Sequence, residues 1–405
     1  MRHFLNQRFL TNNQHDSQWN LNHLCDHLFD SIPNIKIDSP IDEPLTRTTD
    51  ITHSYSTSPS LTPTSSFSTD DNTFIESHQE QFDNNSNYSL NSCGDTIKYH
   101  FSQFQITKLI GTGHFAQVYL AQNTINQAWY AIKAINKKKL ATKQQIKHVH
   151  DEKDVLLSAS HPFLVKLWGT FQTDSHVFFV TDYVPGGELF RLIRKKKGLT
   201  ELEAKFYAAE TVLALEYLHN RDIAYRDLKP ENILLDNHGH IKLIDFGLAK
   251  QVSDVTYTLC GTPDYLAPEV IRARGYTKEV DWWSLGVLIY EMIVGHAPFT
   301  SKNPIELYEN ILLCSIQWPS DISSEAKDLI QGLLKVKPAD RYNLQEIKAH
   351  PWFADIDFEQ LLSCNVDAPN IPDLQDNDDT SRDGQDIELL YTSDQYAHDD
   401  MFASF

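Results

Sequence analysis

Between residues 104 and 353 the chain changes its hydrophobic pattern once, and this change limits the folds open to it. Up to residue 180, apolar residues recur in short runs separated by turn residues, as in FQITKLIGTGHFAQVYLAQ, which is typical of β-strands. From Glu201 the apolar spacing becomes three and four, as in EAKFYAAETVLALEYLHN, which predicts helices. A short β-rich block followed by a larger helical block predicts an α+β fold of two lobes with a cleft between them.

The two ends of the chain differ from this middle part. Residues 1–100 contain no Val and one Gly, and Ser, Thr, Asn and Asp dominate between Asp50 and Asn91. Such a segment buries too little apolar area to offset the entropy lost on ordering, so residues 1–100 are predicted to be a disordered extension. Residues 354–405 form an acidic tail that ends in MFASF. We therefore expect one domain over 104–353, with an N-lobe over 104–180 and a C-lobe over 185–353.

The net charge of −20 is concentrated at the ends of the chain. Residues 1–100 carry 5 Lys and Arg against 13 Asp and Glu, and residues 351–405 carry 1 against 14. Phosphates would be repelled from both ends, which argues against nucleic acid as a partner.

Cysteine spacing and the length of the apolar runs bear on whether the chain has disulfides, a structural metal site or a membrane anchor. The cysteines are far apart and no two have metal-ligand spacing, so neither a disulfide framework nor a zinc site is expected. No apolar run approaches the roughly 18 residues of a spanning helix, so no membrane insertion is expected. Residue 2 is Arg and not Gly, which excludes an N-myristoyl anchor. We expect a cytoplasmic location and, in addition, a nuclear one.

A glycine-rich turn precedes a lysine in an apolar strand. Gly111 and Gly113 would let backbone N–H groups approach phosphate oxygens without interference from a Cβ. Lys133 lies inside the run YAIKAI, where a charge is costly unless it is paired. Glu152, in the helical segment HVHDEKDVLL, is the expected partner. The pair is either a structural salt bridge or part of a phosphate site.

The string YRDLKPEN, residues 225–232, is the densest in functional groups. Asp227 can orient a hydroxyl group or accept its proton, Lys229 can neutralise phosphate charge, and Asn232 can bind a divalent cation. Asp245 follows in the string DFG and is suited to Mg²⁺. A lone Asp is usually a turn or cap residue, but phosphoryl transfer needs these groups together. The order glycine-rich turn, AIK, helix Glu, YRDLKPEN, DFG and APE is therefore not accidental.

On these motifs the chain resembles the eukaryotic protein kinases over residues 104–354. The string TLCGTPDYLAPE, which begins at Thr258, is similar to that of the AGC group. Within that group GGELF, DWWSLGVLIYEM and the terminal MFASF resemble the cAMP-dependent kinases, because other AGC kinases usually continue past the second Phe of FxxF. The resemblance implies the bilobal protein-kinase fold, with an AGC C-terminal tail over 354–405.

The resemblance implies ATP as the phosphate donor, with Asn232 and Asp245 holding two Mg²⁺ ions. The implied ATP-binding residues of the glycine-rich turn are Ile110, Gly111, Thr112, Gly113, His114, Phe115, Ala116, Gln117 and Val118. The segment TDYV, residues 181–184, is the implied hinge between the lobes, and its backbone binds the adenine edges. The implied residues around the adenine ring and the hinge are Ala131, Lys133, Thr181, Asp182, Val184, Glu188 and Leu234. Ala116 stands where the family has a third glycine, which costs at most about 1 kcal/mol if φ must be positive there.

The same resemblance implies the catalytic roles. Asp227 is the catalytic base, and Lys229 contacts the γ-phosphate. Lys133, held by Glu152, contacts the α- and β-phosphates.

The implied substrates are proteins with Arg-Arg-x-Ser/Thr-hydrophobic motifs. The acids near the path of the basic residues are Glu188, Glu231, Asp264 and Glu291. The apolar pocket for the residue after the target is formed by Leu259, Pro263 and Leu266. Bidentate pairing with carboxylates favours Arg over Lys in such a motif.

Two phosphorylation sites are implied. Thr258 lies between DFG and APE, and Arg226 is a natural partner for its phosphate. Ser393 matches the family's tail phosphosite, and the adjacent Thr392 is the alternative.

Two structural contacts are also implied. Phe402 and Phe405 dock into an apolar pocket on the N-lobe and brace the helix that carries Glu152. Glu269 of APE pairs with a buried Arg341.

The resemblance predicts a Ser/Thr protein kinase whose regulator is a separate cAMP-binding subunit, because no cyclic-nucleotide-binding module is visible in the sequence. Two departures from the family bear on this: the tail lacks an FDDY-like segment, and Tyr257 stands where the cAMP-dependent kinases have Trp. The alternatives are another AGC kinase with a different regulator and a catalytically dead scaffold. Such scaffolds usually lose the strand Lys, the catalytic Asp or the metal Asp, and here all three are present.

Overall fold

The computed structural model describes residues 99–113, 115–252, 255–258, 260–374 and 399–405. All but the last two residues of the predicted N-terminal extension lie outside this part of the chain, and so do His114, Leu259 and Ser393. The described residues form a β-rich N-lobe followed by a helical C-lobe. This arrangement confirms the predicted bilobal fold.

The regular elements follow in chain order. The strands are β1 (Phe104–Thr112), β2 (Ala116–Asn123), β3 (Trp129–Asn136), β4 (Leu167–Gln172), β5 (His176–Asp182), β6 (Ile223–Ala224), β7 (Ile233–Leu235), β8 (Ile241–Leu243) and β9 (Lys250–Gln251). The helices are α1 (Lys143–Ser158), α2 (Leu189–Lys196), α3 (Glu201–His219), α4 (Pro268–Ile271), α5 (Val280–Val294), α6 (Pro304–Leu313), α7 (Ser324–Leu333), α8 (Leu344–Lys348) and α9 (Phe358–Leu362).

One antiparallel sheet with the strand order β1-β2-β3-β5-β4 forms the N-lobe. Alternate residues of β3, among them Tyr130 and Ile132, are buried in its aromatic core, as the period of two predicts. In that core the rings of Phe171 and Phe178 stack with their centroids 4.6 Å apart. Lys133 therefore lies on the opposite face of the strand, which faces the cleft.

Helix α1 packs against β4 and begins at a capping box. Thr142 Oγ1 accepts the backbone N–H of Gln145 at 3.2 Å, and Gln145 Oε1 accepts the backbone N–H of Thr142 at 3.0 Å. Ile146 and Val149 are buried on one face of the helix. Because Glu152 follows Val149 by three residues, it lies on this same inward face.

The C-lobe is organised around α3 and α5, which pack against each other. Most residues of both helices are buried, so the two helices form the interior of this lobe. A capping box between Thr200 and Glu203 fixes the start of α3. Within the described residues, no helix combines the length and the apolar character needed to cross a membrane.

The predicted ion pair between Glu269 and Arg341 is present in the C-lobe. It is bidentate, with nitrogen–oxygen distances of 2.7 and 2.6 Å, and both side chains are buried. Arg341 also donates to the backbone oxygens of Glu279 and Lys335. Paired and fully hydrogen-bonded charges of this kind are tolerated in an interior, whereas removal of one partner is strongly destabilising.

The last residues of the chain lie against the N-lobe, which confirms the predicted docking of Phe402 and Phe405. Phe402 is completely buried, and the Phe405 ring is 5.7 Å from that of Phe179. Backbone oxygens of the tail bond to three N-lobe side chains, in the pairs Met401 O to His150 Nε2 at 2.8 Å, Phe402 O to Gln172 Nε2 at 2.9 Å and Ser404 O to Lys153 Nζ at 2.8 Å. Two of these side chains belong to α1, so the tail is tied to the helix that carries Glu152.

Candidate active site

Lys133 lies between two carboxylates at the cleft. Its Nζ is 2.6 Å from Glu152 Oε1 and 3.1 Å from Asp245 Oδ1, so the expected pair is present and Asp245 joins it. Burial lowers the pKa of Lys133, but the charges of Asp245 and Glu152 outweigh that effect and raise the pKa above its usual value. The Lys133 charge in turn holds the pKa of Asp245 below its usual value. Both groups are therefore charged at neutral pH.

The DFG segment holds Asp245 in an uncommon backbone conformation. Its φ is +57°, in the left-handed region that few residues other than Gly adopt. The neighbouring Phe246 is fully buried, with its ring 5.3 Å from that of Tyr225. The backbone N–H of Gly247 donates to Asp245 Oδ1 at 3.3 Å. Burial of Phe246 and the hydrogen bond from Gly247 together hold the Asp245 carboxylate toward Lys133.

Asp227 is the centre of a hydrogen-bond network in the YRDLKPEN loop. Its carboxylate accepts from Lys229 Nζ at 2.9 Å, from Asn232 Nδ2 at 2.9 Å and from Thr262 Oγ1 at 3.2 Å. Lys229 Nζ also donates to Thr262 Oγ1 at 3.0 Å. The structure thus brings a carboxylate, an ammonium group and an amide within hydrogen-bond distance, as the motif predicts. Thr262 is a member that the sequence reasoning missed, since a lone Thr before APE carries no signal of its own.

Asp281 at the start of α5 anchors this loop, and the sequence reasoning missed it as well. Its carboxylate is completely buried and accepts the backbone N–H groups of Tyr225 at 2.9 Å and Arg226 at 2.8 Å. His219 Nε2 lies 2.8 Å from the same carboxylate. Arg226 has a φ of +67°, so the two backbone bonds stabilise a turn that would otherwise be strained. No signal in the sequence singles it out, because an acid in the first turn of a helix is common.

The glycine-rich turn joins β1 and β2. Gly111 pairs with Val118, and a Cβ on Gly111 would lie 3.5 Å from that of Val118. The backbone N–H of Gly113 donates to Ala116 O at 2.7 Å. Ala116 begins β2 and is not among the residues with positive φ, so the expected penalty for replacing a glycine there does not arise. Of the nine residues assigned to this turn, His114 lies outside the described residues.

The residues expected around the adenine ring come together at the joint between the lobes. Thr181 Oγ1 donates to Ala131 O at 3.2 Å, and Val184 is buried. Leu234 on β7 forms an isolated β-bridge with Glu188. This bridge places Leu234 of the C-lobe next to the segment that follows the hinge. The Asp182 carboxylate accepts from the Lys166 N–H and the Trp168 indole, and the Asp182 N–H donates to Lys166 O. Of the polar groups of Asp182, the backbone carbonyl is therefore the one that can serve a ligand.

Four acids predicted to bind basic residues interact with one another, namely Glu188, Glu231, Asp264 and Glu291. Burial raises the pKa of Glu188, Asp264 and Glu291, and the nearby Glu231 charge adds to the effect in each. Partly desolvated carboxylates that repel one another favour a cation among them. Of the residues assigned to the apolar pocket, Leu266 is buried and Pro263 is exposed, while Leu259 lies outside the described residues.

Glu291 already has two partners within the chain. Arg194 on α2 approaches Glu291 Oε1 at 3.0 Å, and the Tyr265 hydroxyl donates to Glu291 Oε2 at 2.6 Å. Arg194 also donates to Gly295 O. The Arg194 side chain is 45% exposed whereas Glu291 is buried, so an incoming arginine would have to share Glu291 with Arg194.

Thr258 lies near a group of basic side chains. Its backbone oxygen accepts from the Tyr276 hydroxyl, which in turn accepts from Arg226 Nη1 at 3.2 Å. Lys250 donates to Thr256 Oγ1 at 3.0 Å, and burial together with the nearby Arg226 charge lowers the pKa of Lys250. The sequence reasoning identified Arg226 and missed Lys250. Ser393, the other expected phosphosite, lies outside the described residues.

The arrangement can hold a polyphosphate and a divalent cation. Lys133 supplies a cation for phosphate, and Asp245 supplies an ionised carboxylate for metal. Asn232 donates through Nδ2 to Asp227, which leaves its carbonyl oxygen as the ligand atom of the amide. Among the described residues no group of three His, Cys, Asp or Glu side chains is placed to hold a metal by itself. A metal here would therefore take its remaining ligands from water or phosphate, as Mg²⁺ usually does.

Comparison with known proteins gives concordant results. The protein kinase domain family matches residues 104–353. The chain is 50% identical over 291 residues to "cAMP-dependent protein kinase type 3" of Saccharomyces cerevisiae, covering 70% of this chain and 73% of that protein. It is 49% identical over 284 residues to the "cAMP-dependent protein kinase catalytic subunit" of Schizosaccharomyces pombe, covering 69% of this chain and 56% of that protein. The human "cAMP-dependent protein kinase catalytic subunit PRKX" is 42% identical over 288 residues, covering 70% of this chain and 80% of that protein.

Proposed function

The chain belongs to the protein kinase family, and from this premise we propose that it is a Ser/Thr kinase of the cAMP-dependent type that transfers the γ-phosphate of ATP to basic protein substrates. The observation that carries the proposal is the convergence of two ionic groups in one cleft. One is Lys133 with Glu152 and Asp245, and the other is Asp227 with Lys229. Positioning and charge neutralisation are what phosphoryl transfer requires of a protein.

The N-lobe residues would hold the nucleotide. Backbone N–H groups of the turn between β1 and β2 cover the phosphates, where Gly111 and Gly113 leave room for close approach. Lys133 neutralises the α- and β-phosphates, and Glu152 holds Lys133 in place through the 2.6 Å contact. Ala131 and Leu234 enclose the adenine ring from the two lobes.

Asn232 and Asp245 would hold Mg²⁺, and their oxygen ligands fit this hard cation. Bound Mg²⁺ neutralises charge on the phosphates and orients the γ-phosphoryl group. Lys133 keeps the Asp245 carboxylate ionised, and the Asp227 contact orients the Asn232 amide. Both residues are therefore prepared for the ion by bonds within the chain.

Asp227 would serve the attacking hydroxyl group. As the Ser or Thr oxygen forms a bond to the γ-phosphorus, the bond from that phosphorus to the bridging oxygen of ADP breaks. The hydroxyl proton passes to the Asp227 carboxylate, which lies on the C-lobe side of the cleft. Lys229, 2.9 Å from Asp227, stabilises negative charge on the transferring group.

We further propose that substrates carry the motif Arg-Arg-x-Ser/Thr-hydrophobic. The support is the group of interacting acids, of which Glu291 is the most deeply buried and Glu231 is exposed. A peptide-library profile tests this assignment. We expect Glu291→Ala to weaken selection for Arg two residues before the target, and Glu231→Ala to weaken it more broadly. A profile that favours proline-directed or acidic sites would overturn the motif, and unchanged Arg selection in both variants would remove these two acids from it.

The regulator we propose is a separate cAMP-binding chain. Relatives named as catalytic subunits support a two-chain arrangement. Tyr257, in the segment between DFG and APE, is 70% exposed and offers an aromatic contact for such a partner. The experiment is to purify the complex from its source and add cAMP. Release of kinase activity supports the regulator, and a complex indifferent to cAMP contradicts it.

A further inference from the structure

Strand β4 contains an irregularity next to the hinge. Its register with β5 shifts between Leu167 and Gly169, so Trp168 is the extra residue of a β-bulge. A bulge turns the side chain of its extra residue away from the direction that regular pleating would give, and bulges are common beside active sites. Here the indole ring is half-buried and lies on the hinge side of β4.

The Trp168 indole reaches the hinge through one short bond. Its Nε1 donates to Asp182 Oδ1 at 2.7 Å. The other carboxylate oxygen of Asp182 accepts the backbone N–H of Lys166 at 3.1 Å, and the Asp182 N–H donates to Lys166 O at 3.1 Å. Three hydrogen bonds thus join one hinge residue to Trp168 of β4 and to Lys166, the residue before the strand.

These bonds lie beyond the end of the regular ladder. The pairing of β4 with β5 begins where Leu167 opposes Thr181, and Asp182 is one residue further on. On its other side Asp182 pairs with Tyr130 of β3. The contacts from Asp182 to Lys166 and Trp168 therefore hold β5 to β4 one residue beyond the last regular pair, at the point where β5 leads into the hinge.

The indole itself is held on two sides. Lys166 Nζ lies 3.6 Å from the centroid of the Trp168 ring, within cation–π distance. The Tyr130 ring packs edge-on against it, with centroids 6.2 Å apart. A donor that is fixed in this way loses little entropy when it bonds to a carboxylate, and bonds to charged acceptors are among the stronger ones.

We propose that Trp168 is a positioning residue for ATP, because it fixes Asp182 and thereby the hinge backbone that binds the adenine edges. This inference rests on the proposed kinase function. The contact acts on binding and not on chemistry, since neither residue approaches the network around Asp227. Loss of the indole N–H should therefore raise the KM for ATP and leave kcat unchanged.

The test compares two tryptophans of the same lobe in the full chain. Trp168→Phe keeps an aromatic ring for Lys166 and Tyr130 and removes the donor. Trp129→Phe makes the same chemical change at an exposed position of β3, and is the matched control. For Trp168→Phe we expect the KM for ATP to rise about fivefold, with kcat and the KM for peptide within about twofold of wild type. Trp129→Phe should leave all three unchanged.

Two further readouts separate positioning from a general loss of stability. In the nucleotide-free protein, hydrogen–deuterium exchange of residues 181–184 should be faster in Trp168→Phe and unchanged in Trp129→Phe. With purine riboside triphosphate, which lacks the exocyclic amino group of adenine, the effect of Trp168→Phe on KM should shrink. Asp182→Asn, which weakens the acceptor instead of the donor, should give the same pattern.

The outcomes are distinct. An unchanged KM for ATP together with unchanged exchange of residues 181–184 would overturn the role of Trp168. A parallel loss of kcat and peptide affinity in both Trp168→Phe and Asp182→Asn would also overturn it, because that pattern indicates structural damage. If the wild-type chain transfers no phosphate, the proposed function fails, while the exchange measurement still decides whether Trp168 holds the hinge.

Discussion

Truncation of Phe402 to Ala removes a ring that is completely buried against the N-lobe. The Phe402 ring stacks on His150 with centroids 5.9 Å apart, and Lys137 Nζ lies 5.3 Å from its centroid. Phe405 is less deeply buried and packs edge-on against His150 at 5.0 Å. We therefore expect Phe402→Ala to be more damaging than Phe405→Ala.

The magnitude follows from burial. A Phe→Ala change in a packed core costs about 3–5 kcal/mol. The tail can leave its pocket instead of keeping a cavity, so the loss is limited to the docking free energy, and we expect about 3 kcal/mol for Phe402→Ala. For Phe405→Ala we expect about 1.5 kcal/mol, because part of this ring is already in water.

The assay is urea-induced unfolding of the full chain together with steady-state kinase kinetics. Because His150 and Lys153 of α1 bond to the tail, undocking should loosen the helix that carries Glu152 and should lower kcat. Ala403→Ser, at an exposed position between the two rings, is the control and should be neutral. Unchanged stability and unchanged kcat in Phe402→Ala would refute the idea that the docked tail supports the active site.

Three other predictions follow from the site and the core. Thr258→Ala should lower kcat because no phosphate can bind near Arg226, and full activity in this variant would contradict the assignment. Burial raises the pKa of Glu291, so the KM for an arginine peptide should rise as pH falls toward that pKa, whereas Glu291→Gln should show a flatter profile. His240 lies 2.5 Å from the buried Glu210, whose hydrogen bond raises the pKa of His240. That stabilisation is complete below the unfolded pKa and is lost as pH rises through the folded one, so urea unfolding should show less stability at about pH 8 than at about pH 6, and Glu210→Gln should reduce the difference.

The sequence alone predicted the contacts of groups that are costly to leave unpaired or exposed. Lys133 had to be paired because it interrupts an apolar strand. Glu152 is one of three acids on the next helix, and it is the one on the buried face of that helix. The two phenylalanines at the end of an acidic tail required an apolar pocket, and the structure provides one. In each case the cost of leaving the group in the wrong environment was large enough to predict its partner.

Other site residues could not be identified in this way. Asp281 near a helix start is an ordinary residue for the first turn, and its role appears only when α5 packs against the loop before Asp227. Trp168 depends on a bulge that no local pattern indicates. Both contacts join segments that are distant in the sequence, so tertiary packing and not local propensity decides them. The cytoplasmic location, the domain boundaries and the phosphosite at Ser393 stay predictions.

The most direct test of the proposed function is phosphate transfer from Mg²⁺-ATP to a peptide of the form Arg-Arg-x-Ser-hydrophobic. Purified wild-type chain is compared with Asp227→Ala and with the control Asp174→Ala, an exposed acid in the turn between β4 and β5. Transfer by the wild type and by Asp174→Ala, with kcat at least about a thousandfold lower in Asp227→Ala, is the predicted result. Equal transfer by Asp227→Ala, with contaminating kinases excluded, would contradict the assignment of this cleft as the active site.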